Sequence, residues 1–459
     1  MDFATISSEQ AKSRTAGEAG WHVSRYNVHA PLPGSNNVAI AILFKGNCAE
    51  YTAIELYLLS VLEELDENHP IIERFFKRGI IANFDERAML ETMGRASCAF
   101  PKGIALTICP TMGCNFNCPY CFEDHFAGKM SPEVQDDVVG LAQRMAKASG
   151  AQSMSVTWFG GEPLLAPNII DALSQRLMTV AKEYGMEYSA SIITTGFLLD
   201  QDIVDMLERC KVSNAQITID GLGPTHDITR KLANGDPTFE RITTNLRELH
   251  IPFRVNVRHN VNEANKSEMD ELRAFIEGLA EESGNRLRYY PAPVLGSRVA
   301  DERGEQVDLL CGTAESEVGV IQEANRFYAG RGNYCGAHSI WSVGIDEKGN
   351  LQKCWEAVDK PDISFGTAAA WDPTDALFSA TKPDNLSMYL NTAVPVPDEE
   401  CRQCVWLPHC VGGCPHKRIF EECKCVPYKD DPASYVLALH ARIGEDKKDT
   451  DQNKNHTKG

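Results

Sequence analysis

Three cysteines lie on one short loop, where Cys114, Cys118 and Cys121 have the spacing C-x3-C-x2-C. Three thiolates cannot complete the tetrahedron of a structural zinc site, and they cannot bind all four irons of a cubane cluster. The spacing therefore predicts a metal centre with one open site, at which a ligand that is not protein can bind and react. A zinc knuckle is the alternative, although no second C-x-x-C pair follows at knuckle spacing.

The loop resembles the cluster loop of the radical S-adenosylmethionine (SAM) enzymes, and the resemblance includes Phe122 and Glu123 after the last cysteine. It implies a 4Fe-4S cluster whose open iron chelates the amino and carboxyl groups of SAM. It also implies that an electron from this cluster cleaves a C–S bond of SAM and gives a 5'-deoxyadenosyl radical. The cofactors carry this chemistry and the protein positions them.

Gly160, Gly161, Glu162 and Pro163 follow the second predicted strand and resemble the Gly-Gly-Glu-Pro motif of the family. The resemblance implies that the glycines bring the backbone close to the SAM methionine and that Glu162 contacts its amino group. Contacts to the SAM carboxylate and ribose are expected at later strand ends, where a parallel barrel builds its active site. The residues expected to make them are Thr195, Asp220, Arg254 and Asn256. The family often has asparagine before the glycine, where this chain has Thr195.

Sixteen cysteines are present, and those near the carboxyl end resemble the seven-cysteine pattern of SPASM domains, which implies two auxiliary 4Fe-4S clusters. The outer cluster is expected at Cys401, Cys404, Cys410 and a late cysteine, for which Cys425 is preferred to Cys423. The inner cluster is expected at Cys335, Cys354 and Cys414, with Cys311 as the nearby candidate for a fourth ligand. Without Cys311, one iron would be open to a substrate thiolate. Zinc at residues 401–414 is the formal alternative.

A polar segment after the fourth predicted strand also resembles SPASM-containing members. It contains His226, Asp227, Arg230, Thr238 and Phe239. Loop and helix-cap structure explains each of these residues equally well.

Strand-like and helix-like segments alternate between residues 103 and 291, which predicts a parallel sheet with helices outside it. Strands are predicted over 103–108, 153–159, 188–195, 214–220, 253–257 and 285–291. Helices are predicted over 132–148, 168–184, 200–210, 237–249 and 265–280. The fold class is therefore α/β, and this count agrees with the partial (β/α)6 barrel that the family resemblance implies.

Four parts are predicted along the chain: a small α+β module (1–100), the radical SAM core (101–325), the SPASM domain (326–430) and a closing helix with a disordered tail (431–459). The first part is predicted to contain strands over 21–27 and 38–44 and helices over 51–65 and 70–78, with Gly79 as the stop of the last helix. It resembles the leader-binding modules of peptide-modifying members. A plain cap on the barrel is the alternative.

The net charge is −19 and no basic cluster is present, which argues against nucleic acid and anionic membranes as partners. No apolar run is long enough for a signal peptide or a membrane span, so a cytoplasmic location is expected. Thiols are kept reduced in the cytosol, and metal binding therefore explains the cysteines better than disulfides do. The remaining cysteines Cys48, Cys98, Cys109 and Cys210 are expected to be small buried residues.

The combined motifs resemble maturases of ribosomally made peptides (RiPPs). The resemblance implies hydrogen abstraction from a precursor peptide, formation of an intrapeptide thioether or carbon–carbon cross-link, and an external electron donor such as flavodoxin or ferredoxin. The alternative enzyme is a dehydrogenase that makes formylglycine in a sulfatase. The non-catalytic alternatives are an iron–sulfur electron carrier and a zinc interaction module.

Overall fold

The computed structural model describes residues 20–101, 103–293, 334–393, 398–421, 425, 429 and 431–441. Its strands are β1 (His22–Val23), β2 (Asn27–Pro31), β3 (Val38–Ile42), β4 (Asn47–Tyr51), β5 (Ile81–Ala82), β6 (Gly103–Ile108), β7 (Ser153–Trp158), β8 (Glu187–Thr194), β9 (Val212–Thr218), β10 (Arg254–Val261), β11 (Leu287–Pro293), β12 (Ser342–Ile345), β13 (Asn350–Gln352) and β14 (Gly366–Thr367). Its helices are α1 (Ala53–Ser60), α2 (Pro70–Arg78), α3 (Glu86–Ala99), α4 (Pro132–Ser149), α5 (Pro167–Glu183), α6 (Gln201–Arg209), α7 (Pro224–Thr229), α8 (Phe239–Glu248), α9 (Met269–Ser283), α10 (Pro383–Leu390), α11 (Glu399–Gln403), α12 (Leu407–Cys410), α13 (Pro415–Phe420) and α14 (432–441).

Six parallel strands, β6 to β11, lie side by side in chain order, and α4, α5, α6, α8 and α9 lie between them in sequence. Alternate residues of β6 are buried, with Ile104, Leu106 and Ile108 in one large apolar core together with the helices. This burial of every second side chain is what a strand covered by helices requires. The predicted parallel sheet with external helices is confirmed.

Helix α4 illustrates how local signals set the element boundaries. The side chain of Ser131 accepts a hydrogen bond from the Val134 amide, Pro132 is the first helical residue, and Gly150 ends the helix at φ +61°. A serine cap, a proline at the first position and a glycine stop each satisfy or terminate the unpaired backbone groups of a helix end. The predicted helix start at this position is confirmed.

The carboxyl-terminal part of the chain joins the barrel through β12. This strand pairs in parallel with β6, so that Ser342 lies beside Ala105, and the antiparallel strands β13 and β14 extend the sheet. Cys354 follows β13 after one residue. The sheet order β6-β12-β13 therefore places this cysteine just after the second strand beyond β6, the strand from whose carboxyl end the Cys114 loop begins.

The amino-terminal part contains an antiparallel sheet in the order β2-β3-β4, followed by α1, α2 and α3. The strand predicted over 21–27 is wrong, because β2 begins only at Asn27 and the short β1 pairs with β5. Strand β4 and helix α3 were not expected. Helix α2 ends at Gly79, which has a φ of +84° and is the predicted stop.

This small sheet is covered on both faces. Ile40 and Ile42 pack with α1 and α2 through Leu59 and Phe75, whereas Ala39 and Ala41 lie in a second apolar cluster with α14. Helix α14 was predicted over 432–443, and the predicted tail lies outside the described residues. None of the helices in the described ranges is both long and apolar enough to cross a membrane.

Candidate functional site

The cysteine loop lies between the carboxyl end of β6 and the start of α4. Its three thiols are partly buried, and burial raises the pKa of Cys114 and the pKa of Cys121 to about 12. The charges of Cys118 and Cys121 raise the pKa of Cys114 further, so the three sulfurs are within electrostatic reach of one another. The structure therefore brings together the three cysteines that the spacing singled out.

Backbone pairing fixes this loop to the segment that follows α7. Residues Phe116 and Leu232 form an antiparallel bridge, the Asn117 amide donates to the Lys231 carbonyl at 3.1 Å, and the Ala233 amide donates to the Asn115 carbonyl at 2.9 Å. These bonds satisfy the main chain of a loop that has no helix or strand of its own. The sequence between the cysteines is thereby held in one conformation.

A buried polar network joins the same loop to the end of β9. The hydroxyl of Tyr120 donates to the carboxylate of Asp220, and Arg230 donates to the Tyr120 oxygen at 3.0 Å. Thr229 donates to Asp220 at 3.0 Å, and the guanidinium carbon of Arg230 lies 5.4 Å from the centre of the Phe116 ring. Tyr120 was not expected to have a role. Its position between Cys118 and Cys121 in the sequence was the signal that could have indicated a role near the cysteines.

The residues after Asp220 behave as loop and cap structure. His226 accepts from the Asp220 amide at 3.2 Å and its other nitrogen lies 3.0 Å from the Thr238 hydroxyl. Burial and the charge of Arg230 lower the pKa of His226 well below its usual value, so the ring is neutral. Asp227 accepts from the amides of Thr238 and Phe239 at the start of α8. These contacts account for His226, Asp227 and Thr238 without a ligand.

The Gly-Gly-Glu-Pro segment packs directly on the start of the cysteine loop. The Glu162 amide donates to the Gly113 carbonyl at 2.9 Å. A Cβ atom added to Gly161 would lie 2.4 Å from the Gly113 oxygen, and one added to Gly160, whose φ is +104°, would lie 2.4 Å from the Thr111 oxygen. Only glycine fits this contact between backbones. The two motifs that were expected at one site are therefore adjacent.

Glu162 is fully buried and its carboxylate is already occupied by protein donors. It accepts from the Leu164 amide at 2.9 Å, from the Thr194 hydroxyl at 2.8 Å and from the Thr195 amide at 2.7 Å. Burial raises the pKa of Glu162, and these hydrogen bonds oppose the increase. Glu162 thus fixes the end of β8, and Pro163 begins a short 3-10 turn beside it.

Asp220 lies just beyond the carboxyl end of β9, and Thr195 lies just beyond that of β8. The expectation that Arg254 and Asn256 lie at the same end is wrong, because Arg254 is the first residue of β10 and pairs with Asn214. Asn260 lies six positions after Arg254 in β10, so the two residues are roughly 20 Å apart along the strand at the usual rise per residue. Their role as SAM contacts remains a prediction.

Asn260, near the carboxyl end of β10, is the residue of this strand that lies beside Asp220. Its amide donates to the Asp220 carboxylate at 3.3 Å, and the side chain of Asn265 donates to the Asp220 carbonyl at 2.8 Å. The strand was predicted to end at 257 because the polar residues Arg258, His259 and Asn260 follow. Polar residues at alternate positions of β10, namely Arg254, Asn256, Arg258 and Asn260, were the signal for a longer strand.

Cys335, Cys354 and Cys414 come together in the carboxyl-terminal part of the chain. Cys335 and Cys354 pack with Ala337 and Tyr389 in a small apolar cluster. Burial raises the pKa of Cys354 to about 12, and the charges of Cys335 and Cys414 raise it further. The three predicted inner ligands are therefore neighbours, whereas Cys311 lies outside the described residues.

A second set of carboxyl-terminal cysteines lies against the amino-terminal sheet. Cys401, Cys404 and Cys410 pack at the edge of the apolar cluster that contains α14. Burial raises the pKa of Cys404, and the charges of Cys401 and Cys425 contribute to the increase. Lys429 donates to the exposed Cys425 sulfur at 3.4 Å. Cys423 lies outside the described residues, so the choice between it and Cys425 remains a prediction.

The other cysteines follow their expected burial in part. Cys109 and Cys210 are fully buried, as expected, whereas Cys48 and Cys98 are only partly buried. Cys210 packs beside Met206 on the outer layer of the barrel. None of the four was expected to bind metal.

An aromatic row connects the first cysteine set with the inner one. The ring centres of Phe122 and Phe159 are 6.5 Å apart, and those of Phe159 and Trp355 are 5.7 Å apart. Phe122 directly follows Cys121, and Trp355 directly follows Cys354. The two cysteine sets therefore lie on either side of three neighbouring rings.

Comparison with known proteins agrees with this arrangement. Residues 108–276 match the model of the Radical SAM superfamily, and this part of the chain is a radical SAM domain. The chain resembles peptide-modifying members of that superfamily. GTP 3',8-cyclase of Chlorobaculum tepidum is 28% identical over 172 residues, which are 37% of this chain and 48% of that protein. The chain thus spans about half the length, or less, of the first relatives it matches.

Longer matches also exist. PqqA peptide cyclase of Rhodopseudomonas palustris is 22% identical over 380 residues, which cover 77% of this chain and 93% of that protein. Among solved structures, native anSMEcpe with bound AdoMet and the Cp18Cys peptide has a TM-score of 0.55 at 19% identity, and the match covers 76% of this chain and 99% of that one. At this identity the structural match shows a shared fold.

Proposed function

We propose that this chain is a radical SAM maturase that abstracts hydrogen from a precursor peptide and forms an intrapeptide thioether or carbon–carbon cross-link. The observation that carries the proposal is the contact between the cysteine loop and the Gly160–Gly161 turn at the carboxyl end of the parallel strands. Active sites of parallel barrels lie at this end.

The residues present fit a 4Fe-4S cluster at the cysteine loop. Burial raises the pKa of Cys114 and the pKa of Cys121 to about 12, so a thiolate here requires a nearby cation, and bound iron supplies it. Cys114, Cys118 and Cys121 would hold the cluster. When bound, the cluster and SAM would supply a 5'-deoxyadenosyl radical.

Around this cluster the protein would position SAM with backbone more than with charged side chains. Gly160 and Gly161 let the turn pack against the backbone of the loop at Thr111 and Gly113, and the family resemblance implies that the SAM methionine binds close to this turn. The carboxylates of Glu162 and Asp220 are each occupied by protein donors, so they are positioning residues in this proposal. At the strand ends, the Thr195 amide donates to the Glu162 carboxylate and the Asn260 amide donates to the Asp220 carboxylate.

A cross-link is a two-electron oxidation of the peptide, because one hydrogen leaves as an atom and the second as a proton and an electron. Cys335, Cys354 and Cys414 would hold a cluster able to accept that electron. The aromatic row of Phe122, Phe159 and Trp355 lies between these cysteines and the first set, and this proximity supports the assignment. The outer set at Cys401, Cys404, Cys410 and Cys425 would pass this electron to the oxidised form of an external carrier such as flavodoxin or ferredoxin, whose reduced form is the expected electron donor.

The amino-terminal module is proposed to bind the leader segment of the peptide. In the described part of the chain, β4 pairs with β3 on one side only, which leaves an edge that an extended peptide can join. Helix α1 follows β4 directly and exposes Ile54 and Tyr57 to solvent, with 73% and 65% of each residue accessible. Exposed apolar residues next to a free strand edge are suited to a peptide partner.

Iron content tests the cluster assignment. After anaerobic reconstitution we expect about twelve irons per chain, on the assumption of three cubane clusters, and SAM cleavage to 5'-deoxyadenosine after reduction. Iron analysis and chromatography of the nucleoside products measure both. A chain that holds only about four irons would contradict the two auxiliary clusters, and one without an iron–sulfur absorption band would contradict the whole proposal.

A further inference from the structure

Arg230 is a buried cation whose neighbours do not include a paired carboxylate. Only 7% of the residue is accessible to solvent. Within the described ranges, its Nη1 donates to the Tyr120 oxygen and its Nε–H has no hydrogen-bond partner. Tyr120 separates it from Asp220, so no direct ion pair between the two is found there. A buried charge and a buried unpaired N–H are both costly, and each calls for a partner.

The cysteine loop surrounds this guanidinium. Its carbon lies 5.4 Å from the centre of the Phe116 ring, between the first two cysteines in sequence. Its Nη1 donates to Tyr120 at 3.0 Å, and Tyr120 lies between Cys118 and Cys121 in the sequence. The guanidinium is therefore held against the loop whose thiols are proposed to hold the cluster.

We propose that Arg230 supplies a fixed positive charge and an N–H donor to the anionic cluster held by Cys114, Cys118 and Cys121, and that it makes this cluster easier to reduce. The inference rests on the proposed function. Reduction transfers one electron from the external donor and adds one negative charge to the cluster, and a nearby cation stabilises the more negative form. Net charge and hydrogen bonds to sulfur are the quantities that set the potentials of such clusters.

The network around Arg230 determines how fixed that charge is. Tyr120 accepts from Arg230 and donates to Asp220, while Thr229 and the Asn260 amide also donate to the Asp220 carboxylate. This arrangement holds the guanidinium on one side of the loop through residues on β9, α7 and β10. Tyr120 and Asp220 act through Arg230 and are positioning residues.

The test is a redox titration of the reconstituted full chain, followed by electron paramagnetic resonance. The signal that changes on addition of SAM, and that is lost when Cys114, Cys118 and Cys121 are replaced by alanine, belongs to the cluster of the Cys114 loop. For Arg230→Gln we expect at least a tenfold shift of the reduction equilibrium toward the oxidised form, about 59 mV for one electron. Arg230→Lys should shift less because it keeps the charge. Arg247→Gln on the exposed face of α8 should not shift.

Tyr120→Phe provides a second variant in case Arg230→Gln does not retain its iron. It keeps the ring and the charge but removes the hydroxyl that orients Nη1, and we expect a smaller shift in the same direction. An unchanged potential in an iron-loaded Arg230→Gln would overturn the inference, and where that variant does not retain its iron, an unchanged potential in Tyr120→Phe would overturn it. A wild-type chain without any SAM-responsive signal would instead contradict the proposed function.

Discussion

Replacement of Cys114, Cys118 and Cys121 together by alanine should abolish reductive cleavage of SAM. The three thiols are the proposed cluster ligands, and their loop contacts the Gly160–Gly161 turn. Without them the loop keeps only the fully buried Cys109, which cannot hold a SAM-binding cluster alone. The production of 5'-deoxyadenosine by the reduced, reconstituted variant measures the effect.

The same variant should keep its auxiliary clusters, because their ligands lie in the carboxyl-terminal part of the chain. We expect about eight of about twelve irons to remain, on the assumption of three cubane clusters. Cys210→Ala is the matched control, since Cys210 is a buried cysteine beside Met206 with no expected metal role. It should cleave SAM as the wild type does. Wild-type amounts of 5'-deoxyadenosine from the triple variant would refute the cluster assignment.

Cys354→Ala should separate SAM cleavage from peptide cross-linking. Cys354 is buried beside Cys335 and Cys414, and the row of rings links it to the SAM-cluster loop. If the inner cluster accepts the electron released on bond formation, its loss leaves hydrogen abstraction possible and blocks completion of the link. We expect 5'-deoxyadenosine to persist while cross-linked peptide disappears.

Chromatography of the nucleosides and mass spectrometry of the peptide, from one reaction mixture, measure the two outcomes together. Cys48→Ala is a suitable control, because Cys48 belongs to β4 of the amino-terminal sheet and is partly buried. Full cross-linking by Cys354→Ala would show that the inner cysteines have a purely structural role.

Much of the barrel could be predicted from the sequence because its strands are buried on alternate or all positions and its helices carry strong start and stop signals. Ser131, Pro132 and Gly150 bound α4 as expected. Strand β10 was predicted too short, since the polar residues Arg258, His259 and Asn260 all pair with β11 and Arg258 also pairs with β9. Polar residues inside a partial barrel look like a loop when only hydrophobicity is considered.

The amino-terminal sheet was harder to predict because its strands are short and its pairings are not all local. Residues 22–23 pair with Ile81–Ala82, about sixty positions further along the chain. Strand β4 contains Asn47 and Glu50 and has no clear alternation. These features are stabilised by contacts with other elements, which local patterns do not record.

The cysteine sets could be predicted because metal-binding spacing is a local property of the sequence. The network of Tyr120, Asp220 and Arg230 could not, since Tyr120 and Asp220 are 100 positions apart and meet only in the folded barrel. The same holds for Thr194 and Thr195, which donate to the Glu162 carboxylate from the end of a different strand. Spacing identified the candidate metal ligands, and packing determined which residues hold them in place.

The most direct test of the central proposal is the mass of the peptide product. The reduced, reconstituted chain is incubated with SAM and a short cysteine-containing candidate peptide from a neighbouring reading frame, with and without its leader segment, and the products are treated with a thiol-alkylating reagent. We expect a loss of two hydrogens and of one alkylatable thiol per link, with much less product when the leader is absent. Loss of the hydrogens with every thiol retained would indicate a carbon–carbon link instead of a thioether. Conversion of cysteine sulfur to oxygen, or cleavage of SAM with no change in the peptide, would contradict the maturase proposal.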